Sequence, residues 1–223
     1  MKARLMSAIF FGVVVFAALA GCASKSVKSD FTFKDDQSDG LVFFSVSHDL
    51  VGTTNTKVIF YFDGGPVSGG SMVYSLSQNP LLLTGYPGEF EDSHGQLVTL
   101  ALPVGKHQIT SWQVTGTGGV RLGPTGALPP LEFSVQPGQV RYLGDLHANL
   151  RMGKNLLGLL VVGDAYPEVR DKRDRDVELF NKKYPQFKDK VTFDPLALGP
   201  WIADSGTSRR VDIPPPLPPV RHR

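Results

Sequence analysis

Leu131-Glu132-Phe133-Ser134-Val135-Gln136-Pro137-Gly138, with Val140-Arg141-Tyr142-Leu143-Gly144-Asp145-Leu146 close behind, decides the class of fold. Leu131, Phe133 and Val135 fall on one face of an extended chain, and Glu132, Ser134 and Gln136 on the other, as a half-buried strand requires. Pro137-Gly138 is a turn pair, and Val140 to Leu146 reads as the returning strand of a hairpin. The same signature recurs on both sides. Leu41 to Val46 and Lys57 to Phe62 are dense in Val, Ile, Phe and Tyr, and the second runs into the turn cluster Asp63-Gly64-Gly65-Pro66. Ser71 to Leu76 and Leu81 to Tyr86 are weaker strands parted by Asn79-Pro80. Gln96 to Leu102 alternates, and Pro103-Val104-Gly105 turns it into Lys106 to Thr115. Leu156 to Val162 is continuously apolar, which predicts a strand covered on both faces.

One helix is expected near the end of this series. Asp171 is placed to cap it, with Asp174 three residues on in a capping-box-like position. Val177, Phe180, Tyr184 and Phe187 form an apolar stripe, Glu178 and Lys182 stand four apart on the wet side, and Pro185 stops the helix at or before Tyr184. Such a helix covers an open edge or face of a sheet. Beyond Lys190, Asp194-Pro195, Gly199-Pro200 and Pro214-Pro215-Pro216-Leu217-Pro218-Pro219 argue against regular structure, with Trp201 and Ile202 able to dock back. The Pro run predicts polyproline II, flanked by Arg209, Arg210, Arg221 and Arg223. The expected fold is mainly β, an antiparallel β-sandwich with one C-terminal α-helix, and an up-and-down barrel is the alternative.

The N-terminus has a different character. Lys2 and Arg4 precede an apolar run from Leu5 to Ala18, and Leu19-Ala20-Gly21-Cys22 follows with the only cysteine of the 223 residues. The run is shorter than the roughly 20 residues a bilayer span takes, so it reads as a signal helix that is cleaved. A lone cysteine allows no intrachain disulfide, and stability must come from packing. The expected layout is a signal peptide over 1–21, Cys22 with a flexible tether over 22–39, a sandwich with its helix over 40–190, and a Pro-rich basic tail without fixed structure over 191–223. As a coil the tether would span about 20–25 Å.

The chain carries 23 Lys and Arg against 21 Asp and Glu; without Lys2 and Arg4 the balance is even, at 21 each. A neutral chain has no general electrostatic drive toward nucleic acid, which is excluded as a partner. Catalytic constellations are weak. Ser47-His48-Asp49 has the residue types of a hydrolase triad, but consecutive strand residues point to opposite faces and cannot converge on one another; only a triad assembled from distant residues stays open. Gly65-Pro66-Val67-Ser68-Gly69 places its serine one residue late for a nucleophile elbow. Among His48, His94, His107, His147 and His222 no pair has zinc-helix spacing, although His107 and His147 lie in expected strands and could meet across a sheet. Asp63 on its turn could ligate calcium, and turn-forming Asp is the commoner case. Gly116-Thr117-Gly118-Gly119 lacks the ending of a phosphate loop and reads as a β-loop. Tyr61, Tyr74, Tyr86, Trp112 and Tyr142 could stack on sugars but fit a core as well. No cofactor or metal is expected. Pro214, Pro215, Pro216, Arg221 and Arg223 form the best candidate partner contact, since polyproline II loses little entropy on docking.

Two resemblances add to these readings. Leu19, Ala20, Gly21 and Cys22 resemble the lipobox of bacterial lipoproteins, which implies a diacylglyceryl group on the Cys22 thiol and an acylated new N-terminus. Ala23-Ser24 in place of an Asp after that cysteine implies the outer membrane in a diderm host. Pro103-Val104-Gly105-Lys106-His107-Gln108-Ile109, with Val135-Gln136-Pro137-Gly138 and Tyr142-Leu143-Gly144, resembles the turn-and-strand segments of an uncharacterised bacterial lipoprotein family with a prealbumin-like or immunoglobulin-like sandwich. That family supplies no catalytic residues. The expected function is a membrane-anchored, non-enzymatic binding or structural module of the cell envelope, on the periplasmic face of the outer membrane. Its partner would be an envelope protein or glycan. The alternative is an envelope-polymer hydrolase or metal-dependent enzyme.

Overall fold

β1 (Asp39–His48) is the axis of the molecule because its residues are buried on both faces. Val42, Phe44 and Val46 point one way and Leu41 and Phe43 the other, so the strand needs an apolar layer on each side. The computed structural model supplies both, and describes residues 26–33, 38–50, 55–63, 72–76 and 88–203. The leader, Leu19 to Cys22, the Gly65–Gly69 segment, Leu81 to Tyr86, and the tail with Pro214, Pro215, Pro216, Arg221 and Arg223 lie outside the described residues.

The remaining elements are β2 (Lys57–Phe62), β3 (Met72–Leu76), β4 (His94–Pro103), β5 (Gly105–Gly116), β6 (Val120–Leu122), β7 (Leu131–Val135), β8 (Val140–Lys154), β9 (Leu160–Arg170), α1 (Arg173–Lys183), β10 (Val191–Phe193) and β11 (Gly199–Pro200). One sheet runs β11-β9-β8-β1-β4, with β10 also on β8; the other runs β3-β2-β5-β6, with β7 also on β5. The chain is thus mainly β, in two sheets with few helices. Val42, Phe44, Val46, Phe60, Phe62, Val114, Phe133, Leu143 and Leu146 fill the space between them. A second cluster, Leu41, Phe43, Val140, Tyr142, Phe180, Tyr184 and Phe187, lies outside the first sheet and under α1. Phe180 stacks on Phe43 at 4.1 Å, so the helix covers a sheet face, as its stripe predicts.

Several expectations give way. The β7–β8 pair is not a hairpin: β7 pairs with β5 in one sheet and β8 with β1 and β9 in the other. Pro137-Gly138 turns the chain between sheets, across the start of β1, where Gly138 N–H donates to the Asp39 carbonyl at 3.0 Å. Gly40 permits that crossing, because a Cβ there would stand 2.6 Å from the Gln136 oxygen. The first sheet is also mixed rather than antiparallel, since β1 and β10 each lie parallel to β8. Parallel pairing follows once the link from β7 crosses from one sheet to the other instead of doubling back.

Leu156 to Val162 is not a doubly covered strand. The chain turns at Asn155 to Gly158, β9 starts at Leu160, and of the apolar run only Val161 and Val162 are buried. At the helix start neither Asp171 nor Asp174 forms the expected cap; Lys172 holds the N-cap position without a side-chain bond, and Asp171 Oδ1 accepts instead from Arg173 N at 3.0 Å. Order also extends past Lys190. β10 and β11 complete the first sheet, Pro200 sits on the outermost strand where a missing N–H is tolerated, and Trp201 is buried while Ile202 stays half exposed. Finally, part of the expected tether is docked. Val27 N–H donates to Thr99 O at 2.8 Å, Tyr184 OH donates to Val27 O at 2.8 Å, and Phe31 and Phe33 pack around Phe187.

Candidate functional site

The outer face of the first sheet changes character along its length. On β1 the sequence Leu41-x-Phe43-x-Ser45-x-Ser47-x-Asp49 carries one face from apolar to polar. On α1, Asp176, Phe180 and Tyr184 repeat every four residues and make the same change in register with it. β8 needs a correction to match. Phe43 pairs with Tyr142 but Ser45 with Asp145, so one residue is inserted, and Gly144 occupies the bulge at φ +111°. Without that extra residue Asp145 and His147 would face the apolar core; with it they face the helix. The result is a buried polar seam at one end of the sheet.

Asp176 is fully buried, and its carboxylate is satisfied. Oδ1 accepts from Ser45 Oγ at 2.6 Å and Arg175 Nε at 2.9 Å, and Oδ2 accepts from Tyr142 OH at 2.9 Å. Burial raises its pKa, against the pull of Arg175. Burial and the Asp176 charge likewise push the Tyr142 phenol up. Arg175 ties the seam to the 88–93 segment: its Nη1 donates to Asp92 Oδ1 at 3.2 Å, and its guanidinium lies 3.7 Å from the centre of the Phe90 ring. The Lys172 hydrogen bond holds Asp92 down at about 2.

Beside this lies a chain of four groups. Ser47 Oγ is 2.7 Å from Asp145 Oδ1 and 2.7 Å from His147 Nδ1, and His147 Nε2 is 3.0 Å from Asp49 Oδ1. Asp49 Oδ2 accepts from Leu150 N–H at 2.8 Å. Burial pushes Asp145 up to about 6, opposed by Arg175 and by the Ser47 bond. Burial and the positive Arg170 lower His147 to about 4, with Asp49 acting the other way. Because Asp49 only accepts, His147 Nε2 carries a proton, and the Ser47 hydroxyl can donate to one neighbour only. Two arrangements satisfy every contact: protonated Asp145 with neutral His147, or ionised Asp145 with His147 charged at both nitrogens. They contain the same number of protons and differ by one proton shift through Ser47. The seam is therefore a continuous hydrogen-bonded chain from a buried carboxyl to the half-exposed Asp49.

His48 points the other way, into the space between the sheets. Its Nδ1 lies 3.0 Å from Ser75 Oγ, which itself donates to His94 O at 3.1 Å, so Nδ1 carries the proton. Nε2 is buried with no partner, and burial with nearby His94 lowers the pKa to about 3.

Ser47, His48 and Asp49 thus do not converge on one another, but Ser47 and Asp49 both meet His147, the distant residue a triad would need. The order is reversed from a hydrolase, with serine on Nδ1 and carboxylate on Nε2, and Ser47 has no solvent exposure. Among the described residues one shallow depression is lined around Lys106, Arg141 and Asp194 and another along Asp171 to Arg175, and neither is lined by Ser47 or His147. His107 and His147 lie in different sheets and do not meet. His107 bonds to Asp63 Oδ2 at 2.7 Å, and Asp63 Oδ1 accepts from Gln108 N–H at 2.9 Å, so Asp63 is spent on its turn. Among the described residues no group of three His, Cys, Asp or Glu is placed to hold a metal. Tyr61, Trp112 and Tyr142 are core residues, and Tyr74 lies under Lys57 Nζ at 4.5 Å. Sequence reasoning missed the seam; its visible signals were alternating Ser45, Ser47 and Asp49 in an otherwise apolar strand, and a lone glycine inside β8.

Comparison with family models, with curated proteins and with solved structures finds no match to this chain. The geometry above is what bears on function.

Proposed function

We propose that this chain is a lipid-anchored, non-enzymatic binding or structural module of the bacterial cell envelope, held at the periplasmic face of the outer membrane through acylated Cys22. The observation that carries the reading is Leu19-Ala20-Gly21-Cys22 behind a basic and apolar leader. Three acyl chains, as such lipoproteins commonly carry, make attachment effectively permanent at about 0.8 kcal/mol per buried CH₂. The sealed position of Ser47 supports a non-enzymatic role: a nucleophile must reach a substrate carbonyl, and this hydroxyl is spent between Asp145 and His147. An envelope protein or glycan is the proposed partner, with Pro214 to Pro216, Arg221 and Arg223 as a contact.

Mass spectrometry of the mature protein tests the anchor. Acyl groups on Cys22 and loss of residues 1–21 are expected; a bare thiol or an intact leader overturns it. A hydrolase is the second reading, favoured by His147 standing between Ser47 and Asp49. A fluorophosphonate probe separates the two. No label on Ser47 is expected, and labelling abolished by Ser47→Ala would overturn the non-enzymatic reading.

A further inference from the structure

The hairpin between β8 and β9 ends in a cluster of leucines left exposed among the described residues. Leu156 and Leu157 are 101 % and 83 % exposed, and Leu159 and Leu160 are 56 % and 55 % exposed. An isolated exposed leucine means nothing, but four within five residues at one tip form a patch. The tip also stands clear of its sheet. β1 pairs with β8 no farther than His48 opposite Ala148, and from Asn149 onward β9 is the ladder partner of β8 among the described residues.

Several amide protons of this tip are bonded within it. Asn155 Oδ1 accepts from Leu157 N–H and Leu159 N–H, both at 3.0 Å. Asn155 N–H donates to Leu159 O and Gly158 N–H to Asn155 O, both at 2.9 Å. Four amide protons are thereby satisfied inside the turn, and its most exposed side chains are leucines. A protein partner does not require amide protons to be bonded within the loop; hydrocarbon favours it, because it offers them no hydrogen bonds. The rim is complementary to an anionic headgroup layer. From Leu150 to Gly163 the chain carries Arg151 and Lys154 and no acidic residue. Asp164 stands opposite Arg151 at the same level of the ladder, so Lys154, opposite Leu160, is the cation nearest the leucines.

From these observations we propose that the β8–β9 tip inserts into an anionic phospholipid bilayer, with Leu156, Leu157, Leu159 and Leu160 among the acyl chains and Lys154 and Arg151 at the headgroups. The proposal deepens the membrane-anchored reading by adding a second point of attachment that is part of the fold. It does not depend on how Cys22 is modified.

The test uses the full chain reconstituted in vesicles containing phosphatidylglycerol, with Leu157→Trp as reporter. Trp112 and Trp201 are buried and give a constant background that the parent chain measures. The added tryptophan is expected to emit at shorter wavelength than in detergent-free buffer and to be quenched at least twofold by brominated acyl chains. Leu156→Ser with Leu160→Ser in the same reporter should reduce that quenching severalfold, with a melting curve like the parent's. Reporter emission that stays water-like and unquenched in vesicles holding the protein would overturn the proposal. So would a blue shift that tracks protein concentration without lipid, which assigns the tip to a second copy. Acyl mass on Cys22 is read on the same sample, so loss of the anchor and failure of the tip are told apart.

Discussion

His48 makes this fold acid-sensitive, and the size of the effect follows from its surroundings. The ring is fully buried, Nδ1–H is committed to Ser75, and Nε2 has no partner to share a second proton. In the unfolded chain the group titrates near 6.5, and in the fold near 3. Between those values the unfolded state holds a proton that the folded state refuses, so stability is full above pH 6.5 and falls as pH drops toward 3. At about 1.4 kcal/mol per pH unit, the loss by pH 4 is about 3 kcal/mol. His147, lowered to about 4, acts in the same direction; Asp145, raised to about 6, acts oppositely over nearly the same range, and the two largely offset each other. Both remain in His48→Gln, whose amide can still donate to Ser75, so the difference between the two proteins isolates His48. Urea unfolding of parent and variant at pH 7, 5.5 and 4 is the assay. The parent should lose about 3 kcal/mol more than the variant between pH 7 and pH 4. Equal losses would refute the assignment of acid sensitivity to this ring.

Three further perturbations probe the seam and its cover. Ser47→Ala leaves Asp145 Oδ1 and His147 Nδ1 without their shared partner and should cost about 1–3 kcal/mol in denaturant unfolding at pH 7; an unchanged midpoint would mean water replaces the hydroxyl. Gly144→Ala puts a Cβ 3.1 Å from Val169 Cγ1 and 3.3 Å from Arg170 O at φ +111°, and a loss of about 1–3 kcal/mol is expected from the melting curve. Gly138→Ala, at φ +63° away from the seam, should leave the His147 ring NMR signals in place where Gly144→Ala moves them. Phe180→Ala removes the ring stacked on Phe43 and should cost about 3–5 kcal/mol, with faster amide exchange throughout α1; protection of α1 equal to the parent's would show that the stack is not its main fastening.

The strands that were legible in the sequence are those whose pattern is local. Lys57 to Phe62 and Leu131 to Val135 have the limits their composition predicts, and Pro185 stops α1. What failed depended on partners far away in the chain. Pro137-Gly138 shows that the chain bends, yet whether it bends within a sheet or between sheets is set by Asp39 and Gly40, about 100 residues earlier. Leu156 to Val162 has the composition of a buried strand, but Asn155 and Gly158 make a turn of its first half. The seam illustrates the same limit: Ser47 and Asp49 share a face by alternation alone, whereas His147 reaches them only through the parallel β1–β8 pairing and the bulge at Gly144.

Under the proposed anchoring at Cys22, the docked N-terminal segment would shorten the leash. With Val27 fastened to Thr99 and Tyr184, only Ala23, Ser24 and Lys25 separate Ser26 from Cys22, a contour of about 14 Å. A link of at most that length would give the two-sheet domain little freedom to swivel and would keep the β4 edge near the proposed attachment point. Orientation would then be constrained by the fold: with the β4 edge held close, the length of that link limits which surfaces, the β8–β9 tip among them, come within reach of the bilayer.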